Sequence, residues 1–231
     1  MRLYLRAISL IALLMAVAAT ASADTVTITV NNGGSITDGG VYVGPYNFTT
    51  SSGQSLQLIC DIFENEVHPP ETWTASVGTI GGSGTGLLGN LGDTVYLEVG
   101  YLAENLFNAP NTQTIKDIQW AIWDLMDSAT CTSGGSCISN TDPYGTPSNP
   151  NGNAADPLGI NGWLAAAQNP ANYGTLADYS NLVVYTPVSG WPGYPNDVPQ
   201  EYIGRVPEPG TLALLGFGLF SLVALRRKLS Y

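Results

Sequence analysis

Positive charge is nearly missing from the middle of this 231-residue chain: between residues 24 and 205 the strong bases are Lys116 and Arg205 alone, against 17 of the chain's 18 acids. A stretch with that balance repels phosphate backbones and anionic headgroups, which excludes nucleic-acid binding. Histidine is just as scarce. His68 stands alone and cysteine occurs three times, too little to assemble a zinc ligand set. The glycine-rich segment 78–92 is not followed by Lys-Ser/Thr, so it is no phosphate cradle. A Ser-His-Asp arrangement has only His68 to build on, and no nucleophile elbow is present. The chain therefore reads as a non-enzyme with no metal site and no cofactor.

What is present is concentrated first at the two ends. Arg2 and Arg6 flank the start of an apolar stretch, 7–19, that runs into Ala21-Ser22-Ala23, the pattern of a signal peptide with its small-x-small cleavage site. The mature chain is expected to begin at Asp24. At the other end Pro207, Glu208, Pro209 and Gly210 precede an apolar run, 211–225, followed by Arg226, Arg227 and Lys228. The prolines force any helix to start afresh after them, and the basic triplet holds the far end on the cytoplasmic side. About 15 residues rise only about 22 Å, short of a hydrocarbon core of about 30 Å.

Pro-Glu-Pro, a short apolar helix and a basic stop in that order resemble the PEP-CTERM sorting signal. The resemblance implies that an exosortase-like processing enzyme removes the tail, as a GPI signal is removed. It also implies a membrane-anchored precursor whose product goes to the cell surface or extracellular matrix, with a part in biofilm or polysaccharide assembly.

Three regions follow: a signal peptide over 1–23, an extracytoplasmic globular domain over 24–205, and a sorting and anchor segment over 206–231. The central region suits one domain with a sizeable core. Strict alternation of β-branched residues makes 25–30 a strand, and 42–48, 54–63, 73–77, 182–187 and 200–205 read as further strands. Helices are expected over 94–107, with Val95, Val99, Leu102 and Leu106 on one face, and over 112–126, with Ile115, Ile118, Ile122, Leu125 and Met126 on a broad face and Asp127-Ser128 as its stop. A short helix over 162–169 is also predicted. Segment 140–156, dense in Asn, Pro, Gly and Asp, reads as a long surface loop, and the spacing of its Asp142, Asn151, Asn153 and Asp156 matches no calcium loop. The fold class is α+β, a β-barrel or sandwich with an inserted helical pair.

Cys131 and Cys137 bracket Thr132-Ser133-Gly134-Gly135-Ser136, a loop supple enough to let them form a disulfide. Cys60 is then left over. It ends a predicted strand, and a predicted helix carries Ile118-Gln119-Trp120-Ala121-Ile122-Trp123. The pair resembles the thioester domains of bacterial surface adhesins, in which a cysteine after a strand is joined to the glutamine of an aromatic-or-aliphatic-Gln-x-Ala-Ile-Trp motif. The resemblance implies a thioester between Cys60 and Gln119 that captures surface amines, shielded from water by Trp120 and Trp123. Asp61, Glu64 and His68 are the nearby candidates to take the thiol proton. Two functional readings result: an envelope-sorted surface or matrix protein, and a covalent adhesin displayed by the same route.

Overall fold

The structure, a computed structural model, describes residues 25–63, 67–81, 92–130, 149–189 and 199–206, with the side chains of 127–130 excepted. The signal peptide, the Cys131–Cys137 pairing and the tail from Pro207 onward lie outside the described residues. Among those described, no helix is long and apolar enough to cross a membrane.

Alternating sequence becomes alternating burial in the first strand. In β1 (Thr25–Asn32), Ile28 and Val30 are buried while Thr27 and Thr29 lie half-exposed, as a strand with one face on a core requires. Beyond it come a small hairpin of β2 (Thr37–Asp38) and β3 (Val41–Tyr42), then β4 (Tyr46–Thr50), β5 (Ser55–Cys60) and β6 (Glu71–Thr79). After the helices, β7 (Leu182–Ser189) and β8 (Tyr202–Arg205) complete the set. Six strands close into a barrel in the order β1-β4-β5-β8-β7-β6, every pairing antiparallel. The expectation of a barrel or sandwich thus resolves to a barrel. A small barrel has a lumen that side chains can fill. Here Phe48, Trp73, Tyr46 and Tyr202 form an edge-to-face and stacked cluster, with Phe48–Tyr202 centroids at 4.7 Å and Phe48–Trp73 at 5.8 Å.

The predicted strand 54–63 ends at Cys60, 200–205 begins at Tyr202, and 25–30 and 182–187 each run two residues further; two other strands differ for a visible reason. The run 42–48 is split between β3 and β4, because Gly44 takes φ +85° and turns the chain where an added Cβ would collide with Ile115. That left-handed conformation suits glycine. The run 73–77 lengthens to 71–79, since β1 pairs as far as Glu71 and β7 as far as Thr79. Pairing partners on both sides extend a strand beyond what its own periodicity announces.

Among the described residues the helices are all inserted between β6 and β7: α1 (Asp93–Phe107), α2 (Thr112–Thr130) and α3 (Gly159–Ala167), with a 3₁₀ turn at Leu176–Tyr179. Three α-helices therefore stand there, two of them the expected pair and the third the predicted short helix, which begins at Gly159 rather than Gly162. α1 buries Tyr96, Val99, Leu102, Ala103 and Leu106, close to the predicted face. α2 continues through Asp127-Ser128 to Thr130; those residues are weak helix formers rather than breakers, worth about 0.5 kcal/mol each, and no Gly or Pro follows them immediately. Along α2 every side chain from Asp117 to Trp123 is buried. A helix buried on all sides sits inside the molecule, packed between α1, α3 and the barrel residues described below.

Because the lumen is filled by interlocking rings, truncating one leaves a hole that the closed barrel cannot collapse to fill. Phe48→Ala should cost about 3–5 kcal/mol of unfolding free energy, measured by denaturant titration of the purified protein.

Candidate functional site

The site forms where β5 ends beneath α2. Cys60 is the last residue of β5 and pairs across the sheet with Tyr202. It is fully buried, as is Gln119. The Gln119 side chain donates from Nε2 to the carbonyl oxygen of Cys60 at 2.7 Å, so a strand end and a helix face separated by 59 residues meet at this point. The two residues singled out for a thioester are brought together through the main-chain carbonyl of Cys60, while its Sγ turns to Ile62 O. Its other atom, Oε1, is buried with no hydrogen-bond donor among the described residues.

The cysteine itself is held by the turn that follows. Its Sγ donates to Ile62 O at 3.0 Å, and the same oxygen accepts Gln200 Nε2 at 3.4 Å. Gln200 Oε1 in turn accepts the Tyr202 hydroxyl at 2.8 Å. Burial, and after it the neighbouring Cys60, pushes the hydroxyls of Tyr46 and Tyr202 well above the ordinary phenol range, so both remain protonated donors at neutral pH.

Trp120 and Trp123, the residues expected to shield the site, stand together on α2. Their ring centroids are 5.2 Å apart, and Phe63 closes on both, 5.6 Å from Trp120 and 4.9 Å from Trp123. The indole N–H of Trp120 donates to Asp38 Oδ2 at 3.0 Å, tying α2 to the β2–β3 hairpin. Of the candidate bases, Asp61 is fully buried beside Cys60. His68 lies in the loop before β6 and donates its backbone N–H to Glu71. Glu64 lies outside the described residues, with Cys131, Cys137, Pro207, Glu208, Pro209, Arg226, Arg227 and Lys228.

Sequence reasoning overlooked three members of this neighbourhood. Glu201 is fully buried, its backbone oxygen accepting Asp61 N at 3.4 Å and its Oε2 accepting Thr186 Oγ1 at 2.6 Å. Tyr96 of α1 faces the same acids, its hydroxyl raised by burial and then by the charges of Glu201 and Asp61. Phe63 is the third. A signal existed for Glu201 alone, as an acid inside the predicted strand 200–205.

A second polar cluster fixes the outer side of α2. Segment 149–156, read from composition as exposed loop, is partly internal: Asn149 and Asp156 are buried. Asn149 Nδ2 donates to Asp117 Oδ2 at 2.6 Å, Gln113 Nε2 donates to Asp117 Oδ1 at 2.9 Å, and Trp163 Nε1 donates to Asp156 Oδ2 at 2.7 Å. Composition does not reveal which polar residues a loop turns inward. Among the described residues no group of three or more His, Cys, Asp or Glu is placed to hold a metal ion.

Against this geometry, comparison with known families finds one match. Residues 205–228 match the PEP-CTERM protein-sorting motif. No curated protein and no solved structure matches the chain.

Burial raises the carboxyl of Asp117 to about 6, the hydrogen bonds from Asn149 and Gln113 opposing the shift and the adjacent Asp156 adding to it. A carboxyl whose pKa is higher folded than unfolded binds its proton more tightly in the native state, so its contribution is complete below about pH 4 and is lost as pH rises through about 6. Stability should fall by roughly 1–3 kcal/mol over that interval, and Asp117→Asn should flatten the fall, as followed by thermal unfolding at stepped pH. The motif at 205–228 marks a protein exported and sorted to the cell envelope by exosortase.

Proposed function

We propose that the barrel and its helical insertion form the displayed part of an envelope-sorted surface or extracellular-matrix protein. Exosortase processing of the tail delivers it, and it acts by being present on the surface rather than by turnover. The observation that carries this reading is the sorting match at 205–228, which begins at the last residue of β8. The deficit of positive charge over residues 24–205 suits a soluble extracellular surface that avoids anionic polymers. Glu208→Ala keeps the apolar run and the basic stop intact. The variant should stay in the membrane fraction unprocessed while the parent is released, read by fractionation and immunoblot. Release of the variant at the parental rate would show that processing does not read Glu208, and retention of the parent itself would make the tail a plain anchor.

A second reading, compatible with the first, is favoured by the Gln119–Cys60 contact. In it the displayed domain is a covalent adhesin. The Cys60 thiol attacks Cδ of Gln119, the C–N bond breaks, and the thiol proton leaves with the amide nitrogen as ammonia. Asp61, buried and adjacent to Cys60 in sequence, relays that proton. A primary amine on a target surface then displaces the sulfur, forming an amide on Gln119 and returning the proton to Cys60. The aromatic lid of Phe63, Trp120 and Trp123 supports the reading, because an acyl group of this kind survives only where water is excluded. The exported protein should weigh about 17 Da less than its sequence, and methylamine should add about 31 Da to that species. Both changes should vanish in Cys60→Ala.

A further inference from the structure

The thioester reading leaves two buried polar atoms on one face of α2 unexplained, and together they indicate a further catalytic group. Gln119 Oε1 and Trp123 Nε1 are each buried with no hydrogen-bond partner among the described residues. Their side chains are 0% and 1% exposed. One is an acceptor and the other a donor. They stand four residues apart on the same helix, so their side chains are neighbours on one face. Helical side chains lean toward the N-terminus, which lays the Trp123 indole over the turn that carries Gln119.

An unmet indole N–H in a dry site costs stability, and a carboxamide oxygen left without a donor adds to that cost. Simple packing would be served better by phenylalanine at 123. The other buried indoles do not compete for the role. Trp120 already donates to Asp38, and Trp73 lies on β6, three strands around the barrel from β5.

We propose that the Trp123 indole N–H is the oxyanion donor of the site, acting on Gln119 Oε1. This rests on the thioester reading. When Cys60 Sγ adds to Cδ of Gln119, the carbonyl π electrons move onto Oε1, the atom that lacks a donor in the ground state. Nε2, the departing nitrogen, is already held by Cys60 O at 2.7 Å, so the carboxamide is oriented from one side and its oxygen is left for Trp123. Collapse of the intermediate restores the C=O bond and expels nitrogen as ammonia with the thiol proton. In the reverse sense, attack of an amine on the thioester builds negative charge on the same oxygen, and collapse breaks the C–S bond and returns a proton to sulfur. One donor serves both steps. Phe63 and Trp120 pack against the Trp123 ring and hold the N–H in place, and a preorganised donor is worth most in a water-free site.

The test uses the exported full chain with methylamine as the probe. Intact mass gives the fraction that has lost about 17 Da, and time-resolved mass gives the rate of amine capture. Trp123→Phe keeps an aromatic ring and deletes the N–H; capture should slow by about 100-fold and the fraction that has lost ammonia should fall. Should Trp123→Phe unfold, benzothienylalanine at position 123 replaces the N–H by sulfur at nearly unchanged volume and should give the same loss. Parental capture rates in either folded variant overturn the role of Trp123 while leaving the thioester standing. Absence of the mass loss from the parent chain overturns the thioester reading itself, and this inference with it.

Discussion

Burial on every side of the middle of helix α2, Asp117 to Trp123, is the constraint on which the rest of the molecule depends. A helical segment placed between α1, α3 and a barrel has no face to give to water, so its polar side chains must find partners within the protein or stay unsatisfied. Each partnership then fixes another element. Gln119 holds the end of β5, Trp120 holds the β2–β3 hairpin through Asp38, and Asp117 holds the segment before α3 through Asn149. The helix acts as a hub whose polar contacts choose one arrangement of the surrounding chain, while its apolar contacts supply most of the driving force.

The same constraint accounts for the chemistry available at the site. Oxygen and nitrogen of one carboxamide are treated differently: nitrogen is committed to a backbone carbonyl, while oxygen is sequestered without a donor among the described residues. Acids crowd the region, with Asp61 and Glu201 fully buried and Tyr96 facing both. Such a concentration of polar groups in a core costs stability relative to an apolar filling, and sites where that cost persists are commonly functional.

The sequence was most informative where periodicity and packing agreed. The alternation of β1 and the apolar faces of α1 and α2 follow directly from residue spacing, and the helical insertion between two strands was readable from their order. Closure of the sheet was not, since register and neighbours are set by pairings between distant segments such as Leu58 with Gly204. The turn at Gly44 was hidden inside an apolar run that reads as continuous strand. Burial of Asn149, Asp156 and Glu201 was hidden for a different reason, because polar residues are exposed by default and only tertiary partners reveal the exceptions. Cys60 and Gln119 were found through a motif resemblance, and the residues that surround them, Phe63 and Tyr96 above all, carried no motif.

The shortness and position of β8 bear on the order of events in the life of the chain. Four residues, Tyr202–Arg205, fill the gap between β5 and β7 and are followed by Val206, whose N–H bonds Asn181 O at 2.7 Å. Arg205 is clamped by Glu104 at 2.6 Å and lies over the Phe107 ring. A polypeptide made from its amino terminus presents this strand after every other element of the barrel, so the seam stays open through most of synthesis and translocation. Sealing waits for the residues that adjoin the sorting signal, and a truncation that removes them deprives the protein of its closed barrel and its address in a single stroke.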